Sequence, residues 1–279
     1  MVTLLAFGRR GYAYAAANMV ASLRYHGYTG PIHLHVGRAL RPYVDELVPD
    51  DTCTKHELAD EYAADPGWCK VNLANIFKGK ETLYLDVDGV CLKDITPLIE
   101  ALRKDGRSYM CSVLGKGGVS DSIGYFEWST PQKVAEKHGL SDATYYGVQS
   151  SWSYFKRGDW LDAFSTQVLA AWGMWDVKEL KHKWGVGKPD ELFYSIACSV
   201  MGYDPSFENV IHFGKGFDPL PKVREGHYFL SLYGIGKGRG SVPPRYVDCY
   251  DAEGRTISKR YPFHKAELIR RDKYANFKN

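Results

Sequence analysis

Two aspartates one residue apart, Asp86-Val87-Asp88, end the apolar run Thr82-Leu83-Tyr84-Leu85 and are followed by Gly89. Carboxylates so close repel each other unless a cation sits between them. The run reads as a short buried strand, and once its pattern breaks at Gly89 the loop can aim both side chains at one ion. Few, hard oxygen ligands suit Mg²⁺ or Mn²⁺, with phosphate oxygens and water completing the shell. The plainer alternative is an exposed acidic turn. A buried strand leading directly into the pair argues against it.

The elements that must position this pair alternate between strand and helix patterns. Residues 2–7 form a short buried strand ended by Gly8-Arg9-Arg10-Gly11. An alanine-rich helix follows over 12–25 and stops at Gly27. After the Gly30-Pro31 turn, 32–36 alternate as a second strand. Residues 40–47 and 55–62 are poor strand material and read as short helices or loops. A helix over 68–77, with Val71, Leu73, Ala74 and Phe77 on its apolar side, precedes the strand that carries Asp86. Strand, helix, strand, helix, strand is the pattern of a doubly wound sheet. Ligands of such sheets collect at the carboxyl ends of the strands, where Asp86 and Asp88 fall.

The second half is mixed. Strands are expected at 109–114, 152–155, 210–213 and 228–233, and helices at 161–172 and 191–201. Gly115-Lys116-Gly117-Gly118 reads as a flexible loop, and residues 234–240 as a glycine-rich basic one. Without an internal repeat or a clean linker, the economical organisation is one α/β domain over 1–254 with a basic C-terminal extension over 255–279.

At 279 residues, with 44% hydrophobic and 25% charged residues, the chain can bury a large core without staples. The six cysteines, at 53, 69, 91, 111, 198 and 249, include no pair at zinc-knuckle or redox spacing, and reduced, mostly buried thiols are expected. Residues 2–7 are too short for a signal-peptide core, and no apolar run is long enough to span a membrane. A cytoplasmic protein is the expectation. The net charge of +3 hides an asymmetry, because 255–279 carry eight Lys/Arg against Glu267 and Asp272. Such an end suits a solvated helix face or an anionic partner: nucleic acid, a lipid surface or an acidic glycan.

Two enzyme classes use an Asp-x-Asp pair. In one, the pair holds a metal that neutralises a leaving nucleoside diphosphate. In the other, the haloacid-dehalogenase-like phosphatases, Asp86 would attack a phosphoryl group. Leu85-Asp86-Val87-Asp88-Gly89-Val90 fits the second class locally. That motif usually opens its fold, whereas here 85 residues precede it. The nearest candidate for the later acidic pair that the phosphatases need, Gly158-Asp159 with Asp162, follows a weak strand.

The segment from Lys70 to Leu98 resembles nucleotide-sugar-dependent glycosyltransferases of the GT-A fold, especially the family 8, glycogenin-like group. The likeness rests on Lys70 on a helix, then Leu83-Tyr84-Leu85-Asp86-Val87-Asp88, then Lys93-Asp94-Ile95-Thr96-Pro97-Leu98. It implies a Rossmann-related mixed sheet flanked by helices and a UDP-sugar donor held through Mn²⁺ or Mg²⁺. Asp86 would contact the metal and the ribose side of the nucleotide, Asp88 would be the stronger metal ligand, and Lys70 would reach the donor sugar or phosphate. The turn after the first strand would lie beside the base, which nominates Phe7, Gly8, Arg9 and Tyr12.

The resembled family normally adds a late His-aromatic-Gly metal ligand. His212 in Ile211-His212-Phe213-Gly214 has that look, although it comes early, only 22 residues after Asp190. A rival register uses 229–234, where serine or leucine would replace the histidine. Lys237 and Arg239, among four glycines, suit a loop that clamps a diphosphate. Asp190 and Glu191, at a helix start, are candidates for the base that activates an acceptor hydroxyl, or for ordinary N-terminal capping. Trp152, Trp172, Trp175 and Trp184, with Tyr145 and Tyr146, could floor an acceptor site or fill a core. No helix-turn-helix, finger or RNA-binding signature supports a non-catalytic nucleic-acid-binding module.

Overall fold

The computed structural model describes residues 1–123, 128–180, 187–208, 210–212 and 220–231. In chain order these form β1 (Val2–Ala6), α1 (Gly11–Tyr25), β2 (Ile32–Gly37), α2 (Arg41–Leu47), β3 (Thr54–Leu58), α3 (Asp60–Ala63), α4 (Pro66–Val71) and α5 (Leu73–Ile76). There follow β4 (Glu81–Leu85), β5 (Gly89–Cys91), α6 (Thr96–Asp105), β6 (Tyr109–Gly117), α7 (Pro131–His138), β7 (Tyr145–Lys156) and α8 (Asp159–Met174). The described elements end with α9 (Asp190–Val200), β8 (Ile211–His212), α10 (Leu220–Gly226) and β9 (Phe229–Ser231).

The strands make a six-stranded mixed sheet in the order β3-β2-β1-β4-β7-β6 and a three-stranded one in the order β5-β9-β8. β1, β2 and β3 run parallel, while β6 and β7 pair antiparallel. This is the helix-flanked mixed α/β architecture that the sequence implies. The chain divides into two compact units, one of residues 1–60, 84–104 and 209 onward, the other of 61–83 and 105–208.

In the first unit, β1 is buried at every position, Thr3 included, as suits a largely apolar strand in a sheet covered on both faces. Small residues let α1 pack closely, and Ala13, Ala15, Ala16, Ala17 and Ala21 are all buried. Arg24 ends that helix by donating to the carbonyls of Thr52, Tyr28 and Gly30, which ties the chain entering β3 to the end of α1. The Ser22 hydroxyl accepts the Cys91 amide at 3.0 Å, fixing β5 to the same helix.

The second unit is built on the β6–β7 pair with α8 and α9. Its core is aromatic: Tyr109, Phe155, Phe164 and Tyr194 lie with ring centroids 4.8–6.3 Å apart. Trp152 is fully buried and donates its indole N–H to Ser112 Oγ at 2.8 Å. Tyr145 is fully buried, its hydroxyl bonded to the Leu140 carbonyl, and Trp175 is buried with its indole N–H on His138. These rings fill core rather than floor an acceptor site; Trp184 lies outside the described residues.

The structure corrects four local expectations. Residues 54–58 form an edge strand, not a helix or loop. The helix expected over 68–77 is two, broken at Asn72, whose side-chain amide donates to the Trp68 carbonyl and competes with the helical ladder. β6 continues through Gly117, with Lys116 opposite Tyr146 and Gly117 opposite Tyr145, so that stretch is strand and not loop. β7 starts seven residues earlier than residue 152. Cys53, Cys69, Cys91, Cys111 and Cys198 are free and buried, as expected of reduced thiols.

Candidate functional site

β4 supplies the acidic turn. Its last four residues are buried, and Asp86, Val87 and Asp88 then turn the chain directly into β5. Val87 points into the core at 5% exposure, leaving the carboxylates on either side of it half-buried. The hydroxyl of Tyr84, a side chain only 2% exposed, donates to Asp86 Oδ1 at 2.5 Å. Residues two apart on a strand share a face, so this bond forms across the end of β4 and fixes the direction of Asp86.

Gly89 is required by what lies behind it. A Cβ there would stand 2.9 Å from the Leu230 carbonyl oxygen and 3.4 Å from Met19 Cε. β9 lies directly beside β5, with Gly89 opposite Ser231 and Val90 opposite Leu230. β8 lies beyond it, His212 also opposite Leu230. The backbone of His212 is therefore two strands from β5, and Ser231 is the residue facing the end of the acidic turn. Lys237 and Arg239 lie outside the described residues.

The turn after β1, the neighbour of β4 in the sheet, carries Phe7, Gly8 and Arg9. Gly8 takes φ +84, and among the described residues a Cβ there would meet nothing within 4 Å, so glycine serves there for its backbone freedom. The carbonyls of Arg9 and Arg10 accept from the amides of Tyr12 and Ala13, winding the turn straight into α1. Tyr12, half-buried, stands at the start of that helix. Arg10 donates to the Tyr14 hydroxyl at 3.1 Å and lies over the Tyr43 ring at 4.5 Å.

The second unit brings Lys70 and Asp190 together. α4 starts on Asp65, whose carboxylate accepts from the amides of Gly67 and Trp68. Gly67 meets the chain before α9 so closely that a Cβ would fall 2.0 Å from the Lys188 carbonyl oxygen. Three residues along α4, the Lys70 carbonyl accepts from the Tyr194 hydroxyl at 2.7 Å. Burial pushes that hydroxyl's pKa well above its ordinary value; the Asp190 carboxylate pushes it further up, and the Lys70 ammonium opposes. The Cys69 thiol is raised in the same way, by burial first, with Lys70 opposing and Asp190 and Asp65 adding.

Asp190 opens α9 behind Pro189, and no side-chain bond caps that helix. Asp190 is 6% exposed, and its Oδ2 has no hydrogen-bond partner among the described residues. A buried carboxylate oxygen is costly unless water or a ligand bonds it. Glu191 beside it is half-buried. One turn along α9, Ser195 Oγ accepts the Val148 amide at the edge of a bulge in β7, where the partner of β6 jumps from Ser153 to Gln149. Within the bulge, Gln149 binds Ser151, and the buried Ser150 hydroxyl has no partner among the described residues.

Among the described residues, no three His, Cys, Asp or Glu gather as metal ligands. Asp86 and Asp88 alone would offer an ion two carboxylates. Such a set fits Mn²⁺ or Mg²⁺ better than a metal needing an all-protein cage, since both ions accept phosphate oxygens and water as the rest of their shell. The sequence pattern nominated the two aspartates and placed Gly89 as the break after them, but gave no role to Tyr84, Gly67 or the β7 bulge.

Solved structures share this architecture. The bifunctional glycosyltransferase WbbM matches over 93% of this chain at 12% identity and a TM-score of 0.54, and this chain spans about half (51%) of it. The galactosyltransferase LgtC, solved with donor and acceptor sugar analogues, matches over 92% of this chain and 100% of its own at 15% identity and a TM-score of 0.52. Mouse xyloside xylosyltransferase 1 matches over 84% of this chain and 97% of its own at 12% identity and a TM-score of 0.51. At these identities the likeness is one of fold, the GT-A glycosyltransferase fold. No family model matches the sequence, and no curated protein does either. Among the described residues no helix is long and apolar enough to cross a membrane.

Proposed function

We propose that the protein is a metal-dependent glycosyltransferase that moves a sugar from a nucleotide-sugar donor, a UDP-sugar by its sequence resemblance, to an acceptor hydroxyl. The observation that carries this reading is the Asp86-Val87-Asp88 turn at the end of buried β4, with Asp86 aimed by the Tyr84 hydroxyl. Asp86 and Asp88 are the residues that would hold Mn²⁺ or Mg²⁺. When bound, the ion would supply positive charge against the departing diphosphate.

In the transfer, the acceptor oxygen bonds to the anomeric carbon as the bond from that carbon to the diphosphate oxygen breaks. The nucleoside diphosphate leaves, and the acceptor's proton passes to a base. Asp190 is favoured over Glu191 for that position because its buried Oδ2 is unpaired among the described residues. Lys70, near Asp190, is assigned to the donor's sugar or phosphate. The hydroxyl of Ser150 is a further candidate for a sugar contact. Phe7, Gly8, Arg9 and Tyr12 are assigned to the base side of the nucleotide, His212 to the metal and Lys237 with Arg239 to the diphosphate. The basic 255–279 segment favours an anionic acceptor, nucleic acid or acidic glycan.

The test is a panel of nucleotide sugars incubated with and without Mn²⁺. Donor hydrolysis that needs the metal and disappears in Asp88→Ala is expected. Turnover of a simple phosphate ester with Asp86 phosphorylated would instead make the protein a phosphatase. Tight, salt-dependent DNA binding with no turnover of either would make it a binding module.

A further inference from the structure

The last turn of α8 contains no basic residue, and its final carbonyls need donors from elsewhere. Lys188 provides them. Its ammonium donates to the carbonyls of Trp172 at 2.5 Å and Trp175 at 2.9 Å, and lies 4.4 Å from the Trp172 ring centroid and 5.7 Å from that of Phe193. A cation at a helix C-terminus is favourable, and a desolvated one over an indole more so. Burial pulls the pKa of this lysine below its ordinary value, with Asp65, Asp176 and Glu179 opposing.

The backbone of the same residue does a second job. Its carbonyl oxygen fills the space left by the missing side chain of Gly67, at the start of the helix that carries Lys70. Two residues on, past Pro189 at φ −74, comes Asp190. A side chain locked at one end, a backbone locked at the other and a ring-constrained residue between leave Asp190 little freedom.

We infer that Lys188 is a positioning residue for the proposed transfer: by capping α8 it holds Pro189 and Asp190 in place against α4 and Lys70. The inference rests on the transferase reading for its kinetic effect and on geometry alone for its structural one, and the two are separable.

The test compares Lys188→Met and Lys188→Arg with wild type and with Asp190→Asn. UDP-glucose, UDP-galactose and UDP-xylose serve as donors with Mn²⁺, and the ¹³C carboxyl resonance of Asp190, assigned by its loss in Asp190→Asn, is recorded in each. In Lys188→Met, kcat for donor hydrolysis should fall by about ten- to a hundredfold, with KM for the donor unchanged, since a small misplacement of a reacting group has that effect. The Asp190 resonance should move, and Lys188→Arg, which keeps the charge and the donors, should restore most of kcat. A Lys188→Met protein with wild-type kcat, beside an inactive Asp190→Asn, overturns the inference, as does an unmoved Asp190 resonance. If wild type hydrolyses none of the donors, the transferase reading fails and the resonance alone decides the role of Lys188. If Lys188→Met does not fold, Lys188→Arg decides: kcat retained supports the inference, and kcat lost at an unchanged melting temperature overturns it.

Discussion

Replacing Gly89 with alanine should damage stability and the acidic turn together. The new Cβ would sit 2.9 Å from the Leu230 carbonyl oxygen, whereas ordinary contact begins at about 3.4 Å, so β5 and β9 must part by about 0.5 Å locally. The Met19 methyl, at 3.4 Å, can turn aside, but the carbonyl belongs to backbone and cannot. Overpacking of this kind costs about 1–3 kcal/mol. At about 2–4 °C per kcal/mol for a chain approaching this size, the melting temperature should fall by roughly 2–12 °C. Asp88 is the next residue, so Mn²⁺-dependent donor hydrolysis should also fall at temperatures where the variant is fully folded. Gly8→Ala is the control, since there the objection is φ +84 and not space, and the expected cost is about 1 kcal/mol. Asparagine tolerates that left-handed backbone and should be milder than alanine at position 8 but worse than alanine at 89. Calorimetry and a donor-hydrolysis assay measure both. A Gly89→Ala protein that melts with wild type and hydrolyses donor as fast would show that β5 and β9 accommodate the methyl without disturbing the acidic turn.

Three further outcomes are expected. Tyr84→Phe removes the hydroxyl that orients Asp86 and should weaken Mn²⁺ binding by about tenfold with little loss of stability, measured by titration calorimetry. Gly67→Ala places a methyl 2.0 Å from the Lys188 carbonyl oxygen and should cost about 3 kcal/mol or more, read as a shift in the urea midpoint. His33 Nδ1 lies 2.8 Å from His56 Nε2, a contact that double protonation breaks, and burial first, then His56, lowers the His33 pKa below 6.5. The unfolded chain therefore binds the proton more readily. Stability should be complete above about pH 6.5 and erode as pH falls below it, and His33→Asn should flatten that slope.

Much of the first hundred residues was legible because buried parallel strands read as apolar runs and their glycine stops are unambiguous. β3 was not: Thr54-Lys55-His56-Glu57-Leu58 is a polar edge strand held by its backbone ladder to β2, and edge positions carry little hydrophobic signal. β6 through Gly117 failed for a related reason, since glycine is a poor strand former and the ladder to β7, with Gly117 opposite Tyr145, is what extends the strand there. Asp86 and Asp88 could be nominated from type and spacing. Tyr84 took strand geometry to interpret, and Gly67, Gly89 and Lys188 act through chain brought near only by folding. Asp190 could be named from its motif, but that its buried oxygen has no partner among the described residues depends on what α9 packs against.

The central claim is that Asp86 and Asp88 hold a divalent cation beneath a nucleoside diphosphate. Calorimetric titration of the whole chain with UDP, in the presence and absence of Mn²⁺, tests it most directly when repeated on the Asp86→Asn, Asp88→Asn double variant. UDP binding that requires Mn²⁺ in wild type and is lost in the double variant, at an unchanged melting temperature, is the predicted result. UDP binding that is indifferent to Mn²⁺, or equal in the two proteins, would contradict the account.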